Sequence, residues 1–205
     1  MDFEKARFQR EDVEITGEET IAEGFFRYIK TFFKHRLFEG GWSHTHKREV
    51  LVKTEAAAAV LYDPWHDTIG LIEQFRIGAL ESEYGPWCLE VVAGMMEPGE
   101  SAEELITREI FEEAGIIGPE LIAITSYYST PGCSNEKLHV FCGLCDLSDA
   151  GGIHGEKNEG EDIMLHILPA EEVFDTMLNS RMNNAATLVC LQWLQINRGK
   201  LRKTP

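Results

Sequence analysis

The sequence predicts an α+β fold, and three observations lead there. Strand-like apolar segments recur on both sides of one capped, glutamate-rich helix. Two further helices close the chain, and short aromatic segments precede everything else. An apolar share of 43% over 205 residues is enough to bury a core in a domain of ordinary size.

The chain changes character near residue 50. Before it, "EGFFRYIKTFFKHRLF" and its neighbours read as short strands broken by the turn signal "EGG" at 39–41. A sheet that small is not stable alone. Residues 1–50 are therefore expected to form a β subdomain that leans on residues 51–205 or on a second subunit. In the main domain "AAAAVLY" (56–62), "TIGLIEQF" (68–75) and "WCLEVVA" (87–93) read as strands, punctuated by Asp-Pro and Gly-Pro. A helix is expected from Ser101 to Ala114, then strands at "LIAITSYY", "KLHVFCGL" and "IMLHIL". Helices at 170–179 and 184–198 follow, the second with an apolar stripe of Leu188, Leu191 and Leu194. Residues 148–162, "SDAGGIHGEKNEGED", read as one long polar loop, of the kind that is functional or mobile.

The formal charge of −16 excludes nucleic acid and anionic membrane as partners, since both need a basic face. An anionic small-molecule ligand would then require cations to bridge it; simple solubility accounts for the charge equally well. No apolar run approaches the ~20 residues of a membrane span. The charged start "MDFEKARFQREDVEI" lacks the apolar stretch of a signal peptide, so a cytoplasmic location is expected. The five cysteines read as reduced thiols. Cys142 and Cys145 form a C-x-x-C without a second pair to complete a zinc site.

The stretch "GMMEPGESAEELITREIFEEAGI", Gly94–Ile116, holds seven glutamates and one arginine. Ser101 and Glu104 have capping-box spacing, which sets the start of the helix. At ~3.6 residues per turn, Glu109, Glu112 and Glu113 share an arc of roughly 100°. Arg108 stands one turn from both Glu104 and Glu112 and can brace that edge. Oxygen donors without His or Cys suit magnesium or manganese. Spacing alone also fits a solvated helix face, although no lysine is interleaved.

The same stretch resembles the Nudix box, G-x5-E-x7-R-E-U-x-E-E-x-G-U with U bulky and apolar. Every fixed position matches: Gly94, Glu100, Arg108, Glu109, Ile110, Glu112, Glu113, Gly115 and Ile116. Outside the box, "GFFRY", "RLFEGGWSH", "LIEQFRIGA", "EVVAGMMEPGES", "STPG", "GGIHGEKNEGED" and "NNAATLVCLQWLQ" resemble the bacterial ADP-ribose pyrophosphatases of that family. Pro131 stands about fifteen residues past the box, where that group carries a proline.

The resemblance implies a Nudix α/β/α sandwich with a small N-terminal antiparallel sheet exchanged in a homodimer, so that the partner completes each site. It implies magnesium- or manganese-dependent hydrolysis of ADP-ribose to AMP and ribose 5-phosphate. The implied metal ligands are the Ala93 carbonyl, Glu109, Glu113 and Glu161, with Glu112 a further ligand or a brace for Arg108. Glu159 would be the general base, on a loop whose closure could assemble the site only over substrate; Glu97 and Glu100 are the other candidates. Implied substrate contacts are Arg76 to phosphate, Arg48 with Glu49, Phe25 and Phe26 beside adenine, and Met95, Thr130 and Glu136.

Bland readings stand beside several of these. Phe25 and Phe26 also suit a hydrophobic core, "EGED" suits a polar loop tip, and His44 and His46 suit surface strand positions. Lys53 stands where the resemblance would put an arginine. Two rival functions remain: a Nudix hydrolase of another sugar nucleotide such as GDP-mannose, and a non-catalytic module that senses ADP-ribose. A calcium-binding module is set aside, because its D-x-D-x-D-G loop is missing.

Overall fold

The structure, a computed structural model, describes residues 3–156 and 160–203. It divides into two compact units. The first comprises residues 1–54 with 128–136, and the second residues 55–127 with 137–205.

The first unit is a three-stranded antiparallel sheet of β1 (Val13–Glu23), β2 (Arg27–His35) and β3 (His46–Val52), in that order. Gly40 and Gly41, both with φ above +75°, turn the chain after β2, where a residue with a Cβ would be strained. Residues 128–136 join this unit through backbone: the Leu51 N–H donates to the Cys133 carbonyl at 2.8 Å. Linear reading of residues 1–50 could not include that distant segment. Phe3, Phe25 and Phe38 are all at least 80% exposed, so the unit presents aromatic surface rather than enclosing it.

The second unit is built on a mixed sheet ordered β10-β11-β5-β4-β9-β8, with β6 added to β5 and β7 to β4. Its strands are β4 (Ala56–Asp63), β5 (Thr68–Phe75), β6 (Trp87–Glu90), β7 (Val92–Met95), β8 (Glu120–Tyr128), β9 (Lys137–Leu144), β10 (Gly152–His154) and β11 (Ile163–Pro169). Helix α1 (Ala102–Ala114) covers one face, burying Leu105, Ile106 and Ile110 against Ala57, Leu61, Ile72 and Leu165. Helices α2 (Ala170–Thr176) and α3 (Ala185–Leu201) lie on the other, where Val173, Leu191 and Leu194 pack with Val60, Ile69, Leu71 and Val140. β4 is buried along its whole length, as a strand covered on both faces must be.

Three expectations are corrected. "WCLEVVA" is two strands, because β6 pairs with β5 and β7 with β4. Between them Val91 leaves the ladder, and its N–H donates to Thr187 Oγ1 at 3.1 Å. The segment 148–162 is not all loop, since β10 pairs with β11. The helix expected over 170–179 ends at Thr176 and tightens into a 3-10 turn over Met177–Asn179. The five cysteines are free, and burial pushes the Cys142 thiol well above its usual range. Among the described residues no helix is long and apolar enough to cross a membrane.

Candidate active site

β7 delivers the chain into α1 through "EPGES", and the helix ends are locally determined. The Ser101 hydroxyl accepts from the Glu104 N–H at 3.3 Å, and the Glu104 carboxylate accepts from the Ser101 N–H at 2.9 Å, the reciprocal capping box. Gly115 ends the helix at φ +68°, donating back to the carbonyls of Ile110 and Phe111, a left-handed cap that glycine adopts without strain.

The apolar stripe of α1 runs Leu105, Ile106, Ile110 and Ala114, and Glu109 and Glu113 fall within it. Glu113 is 2% exposed and, among the described residues, accepts one hydrogen bond, from the Ala93 N–H at 3.1 Å. Burial pushes its carboxyl up to about 9, with the charges of Glu109 and Glu161 adding to the rise. Burial likewise pushes Glu109 up to about 7 against the pull of Arg108, and Glu112 and Glu161 push it the same way. A Cβ built on Gly94 would lie 1.9 Å from Glu109 Oε1, so only glycine lets the β7 backbone pass beneath that carboxylate.

Arg108 holds the outer edge. It donates to Glu100 at 3.1 Å, Glu109 at 2.8 Å and Glu112 at 3.0 Å. Glu104, expected as one of its partners, is occupied by the cap instead. Glu100 also accepts from the Glu97 N–H at 3.0 Å, and Arg108 holds its carboxyl below the usual range. Both bonds tie Glu100 down, which suits a brace better than a mobile base. Glu112 is thereby a partner of Arg108.

Glu161 accepts from the Glu156 N–H at 3.1 Å, and its charge acts on both Glu109 and Glu113. The structure thus brings Ala93, Glu109, Glu113 and Glu161 together. Glu159 lies outside the described residues. Three carboxylates set against Arg108 at the rim and the charge of Arg76 on Glu113 still carry a deficit of positive charge in a desolvated place, which is costly unless compensated. An all-oxygen donor set of this kind fits a hard divalent cation.

Arg76, just past β5, ion-pairs with the buried Glu90 at 2.8 Å, and Glu90 accepts a further hydrogen bond from Asn184 at 2.9 Å. Sequence reasoning passed over Glu90, Asn184 and Gln74; a glutamate inside "WCLEVVA" and a glutamine inside "TIGLIEQF" were available signals. Met95 ends β7 and is 37% exposed.

The other expected substrate contacts belong to the first unit. Phe25 and Phe26 sit in the β1–β2 turn in an edge-to-face pair at 4.8 Å. Phe25 is 83% exposed, so it is not core. On β3, Arg48 bonds the Lys47 carbonyl at 2.8 Å, and Glu49 accepts from the Tyr28 hydroxyl at 2.8 Å. Glu136 accepts from the Ser129 hydroxyl at 2.5 Å and pairs with Lys53, whose ammonium also lies 5.1 Å from the Phe26 ring centroid. Thr130 Oγ1 lies 3.4 Å from Cys133 Sγ.

A different cluster, Asp63, His66 and Asp146, places ligand atoms within 4.8 Å of one another. Asp63 there is fully buried and accepts from the N–H groups of Trp65, His66 and Leu147 and from His66 Nδ1. Those four bonds use its accepting capacity and clamp the β4–β5 turn.

A glycine-led loop feeding a helix with buried carboxylates, held between the layers of an α/β/α sandwich, is the architecture of a Nudix domain. The NUDIX domain matches residues 52–189, and the chain belongs to the Nudix family. Similarity runs along nearly the whole sequence. The chain is 42% identical over 200 residues to an ADP-ribose pyrophosphatase of Haemophilus influenzae, covering 96% of this chain and 92% of that protein. It is 40% identical over 195 residues to the ADP-ribose pyrophosphatase of Escherichia coli K12, covering 95% and 93%. A crystal structure of an ADP compounds hydrolase shares the fold, with a TM-score of 0.65, 19% identity, and 94% and 97% of the two chains covered.

Proposed function

We propose that this chain is an ADP-ribose pyrophosphatase, a magnesium-dependent cytoplasmic homodimer that hydrolyses ADP-ribose to AMP and ribose 5-phosphate. The observation that carries the reading is the 40–42% identity, over at least 95% of the chain, to proteins of that name. The intact carboxylate cluster behind Gly94 supports catalysis over mere sensing. The exposed aromatic side chains of the first unit support a partner-facing sheet, since large exposed apolar patches mark interaction surfaces.

In this reading Glu109, Glu113, Glu161 and the Ala93 carbonyl hold magnesium, with manganese as a substitute. Bound there, the ion would supply charge neutralisation for the diphosphate and a water of lowered pKa. Arg108 keeps Glu109 turned toward the site while Glu100 and Glu112 hold Arg108 itself. Arg76, braced by Glu90, offers its guanidinium to a phosphoryl oxygen, a geometry that suits arginine better than lysine. Glu159 takes the proton from the attacking water. Phe25, Phe26, Arg48, Glu49, Met95, Thr130 and Glu136 bind the adenosine and ribose ends. Lys53 orders Glu136 for that task.

The test is incubation with ADP-ribose, GDP-mannose and other diphosphate-linked nucleosides, with and without magnesium, in oxygen-18 water. Magnesium-dependent conversion of ADP-ribose ahead of the others, with one labelled phosphate product, is expected. Preference for GDP-mannose would shift the substrate assignment, and absence of turnover despite tight ADP-ribose binding would favour the sensing module.

A further inference from the structure

Gln74 is 8% exposed, and its side-chain Nε2 has no hydrogen-bond partner among the described residues. Buried amides are almost always paired. An apolar side chain of the same shape would serve the ligand-free fold at least as well. The glutamine is therefore unexplained by folding.

Its position in the sheet supplies an account. Alternate residues of a strand share a face. On β5, Ile69 and Leu71 pack on the α3 side, while Ile72 packs beneath α1. Gln74 continues the row of Ile72, and Arg76 follows it, at steps of about 7 Å along the strand. On the neighbouring strand Glu90 stands opposite Ile72, and it is Glu90 that holds Arg76 at 2.8 Å. Gln74 thus lies between the core under α1 and the arginine beside the carboxylate cluster, on the same face as both.

We propose that Gln74 is a further substrate-binding residue, whose amide Nε2 donates to a phosphoryl oxygen of the bound diphosphate next to the one Arg76 meets. The inference rests on the diphosphate reading given above. A neutral donor suits the place: a second cation there would be drawn to Glu113 and Glu161 and would compete with the metal, whereas an amide adds a hydrogen bond without charge.

The experiment compares the wild type with Gln74→Met, a side chain of nearly equal volume without the donor. Two quantities are read: thermal midpoint without ligand, and affinity for a non-hydrolysable α,β-methylene ADP-ribose in magnesium. The expected result is an unchanged or higher midpoint with analogue affinity weakened about tenfold or more, as for a lost hydrogen bond to a charged oxygen. Affinity for magnesium alone should stay at the wild-type value. A lowered midpoint with wild-type analogue affinity would overturn the proposal in favour of a structural role. Failure of the wild type to bind the analogue would overturn it together with the diphosphate reading. Should the methionine variant not fold, Gln74→Glu, equal in size but lacking the neutral donor, replaces it: weaker analogue binding supports the proposal and unchanged binding overturns it.

Discussion

The carboxylate of Glu109 lies over the α-carbon of Gly94, so close that a methyl group on Gly94 would overlap Glu109 Oε1 at 1.9 Å. A glycine within β7 is thus required by a side chain fifteen residues later on α1. Replacing Gly94 with Ala must push Glu109 off its position or part α1 from the sheet. The expected outcome for Gly94→Ala is a loss of roughly 10- to 100-fold in magnesium affinity or turnover, an effect of the size seen when the support of a metal ligand is removed. Isothermal calorimetry and initial rates check it, and wild-type values for both would show that the glycine is dispensable.

With Glu109 and Glu113 as the proposed metal ligands, metal uptake is expected to release protons. Their carboxyls are pushed up to about 7 and about 9 by burial, so near neutral pH the metal-free site holds protons that an ion must displace. Apparent magnesium affinity is expected to rise as pH increases from 6 to 9, and calorimetric heats should vary with the ionisation enthalpy of the buffer. Glu109→Gln should cost several orders of magnitude in turnover. A buffer-independent heat across that range would contradict the sign.

Arg108 meets three carboxylates at once through Nε and both terminal nitrogens, a spread that the fixed planar fork spans and the compact ammonium of lysine does not reproduce. Arg108→Lys is expected to weaken metal binding by roughly 10- to 100-fold. The thermal midpoint should drop only slightly, because the residue lies at the rim of α1 rather than in its core. A variant with wild-type magnesium affinity would remove Arg108 from the supporting shell.

Asp67 shows the pH logic for stability. Its carboxylate receives Arg198, Tyr62 and Arg202, and the Arg198 hydrogen bond holds its pKa below the usual range. A depressed carboxyl stabilises the fold above its unfolded pKa and loses that contribution as pH falls through the folded value. Asp67 has φ +57°, a conformation asparagine tolerates, so Asp67→Asn tests charge rather than backbone. Destabilisation on the order of 1–3 kcal/mol near pH 7 is expected, shrinking below about pH 4 as the wild-type group protonates. Urea melts at two pH values measure it, and an equal deficit at both would refute the ionic origin.

Much of the site was legible from spacing. Ser101 with Glu104 and the arc of Glu109 and Glu113 both depend on residues three or four positions apart, where helix geometry leaves little freedom. Glu109 and Glu113 interrupt the stripe Leu105, Ile106, Ile110 and Ala114, and carboxylates at core positions already announce a buried charge. Of the two glutamates one turn from Arg108, only Glu112 pairs with it, because the cap on Ser101 removes Glu104 from competition.

The sequence by itself determined where β4, β5 and β9 run, how α1 begins and ends, and which carboxylates share its face, since these follow from local periodicity and capping. Tertiary structure alone decided that Glu113 is desolvated against Ala93, that β6 and β7 part at Val91, and that Lys53 finds Glu136 and Arg198 finds Asp67 across 83 and 131 residues. Burial and pairing are properties of neighbours that packing brings together. No local pattern encodes which distant backbone N–H or guanidinium will stand beside a given carboxylate.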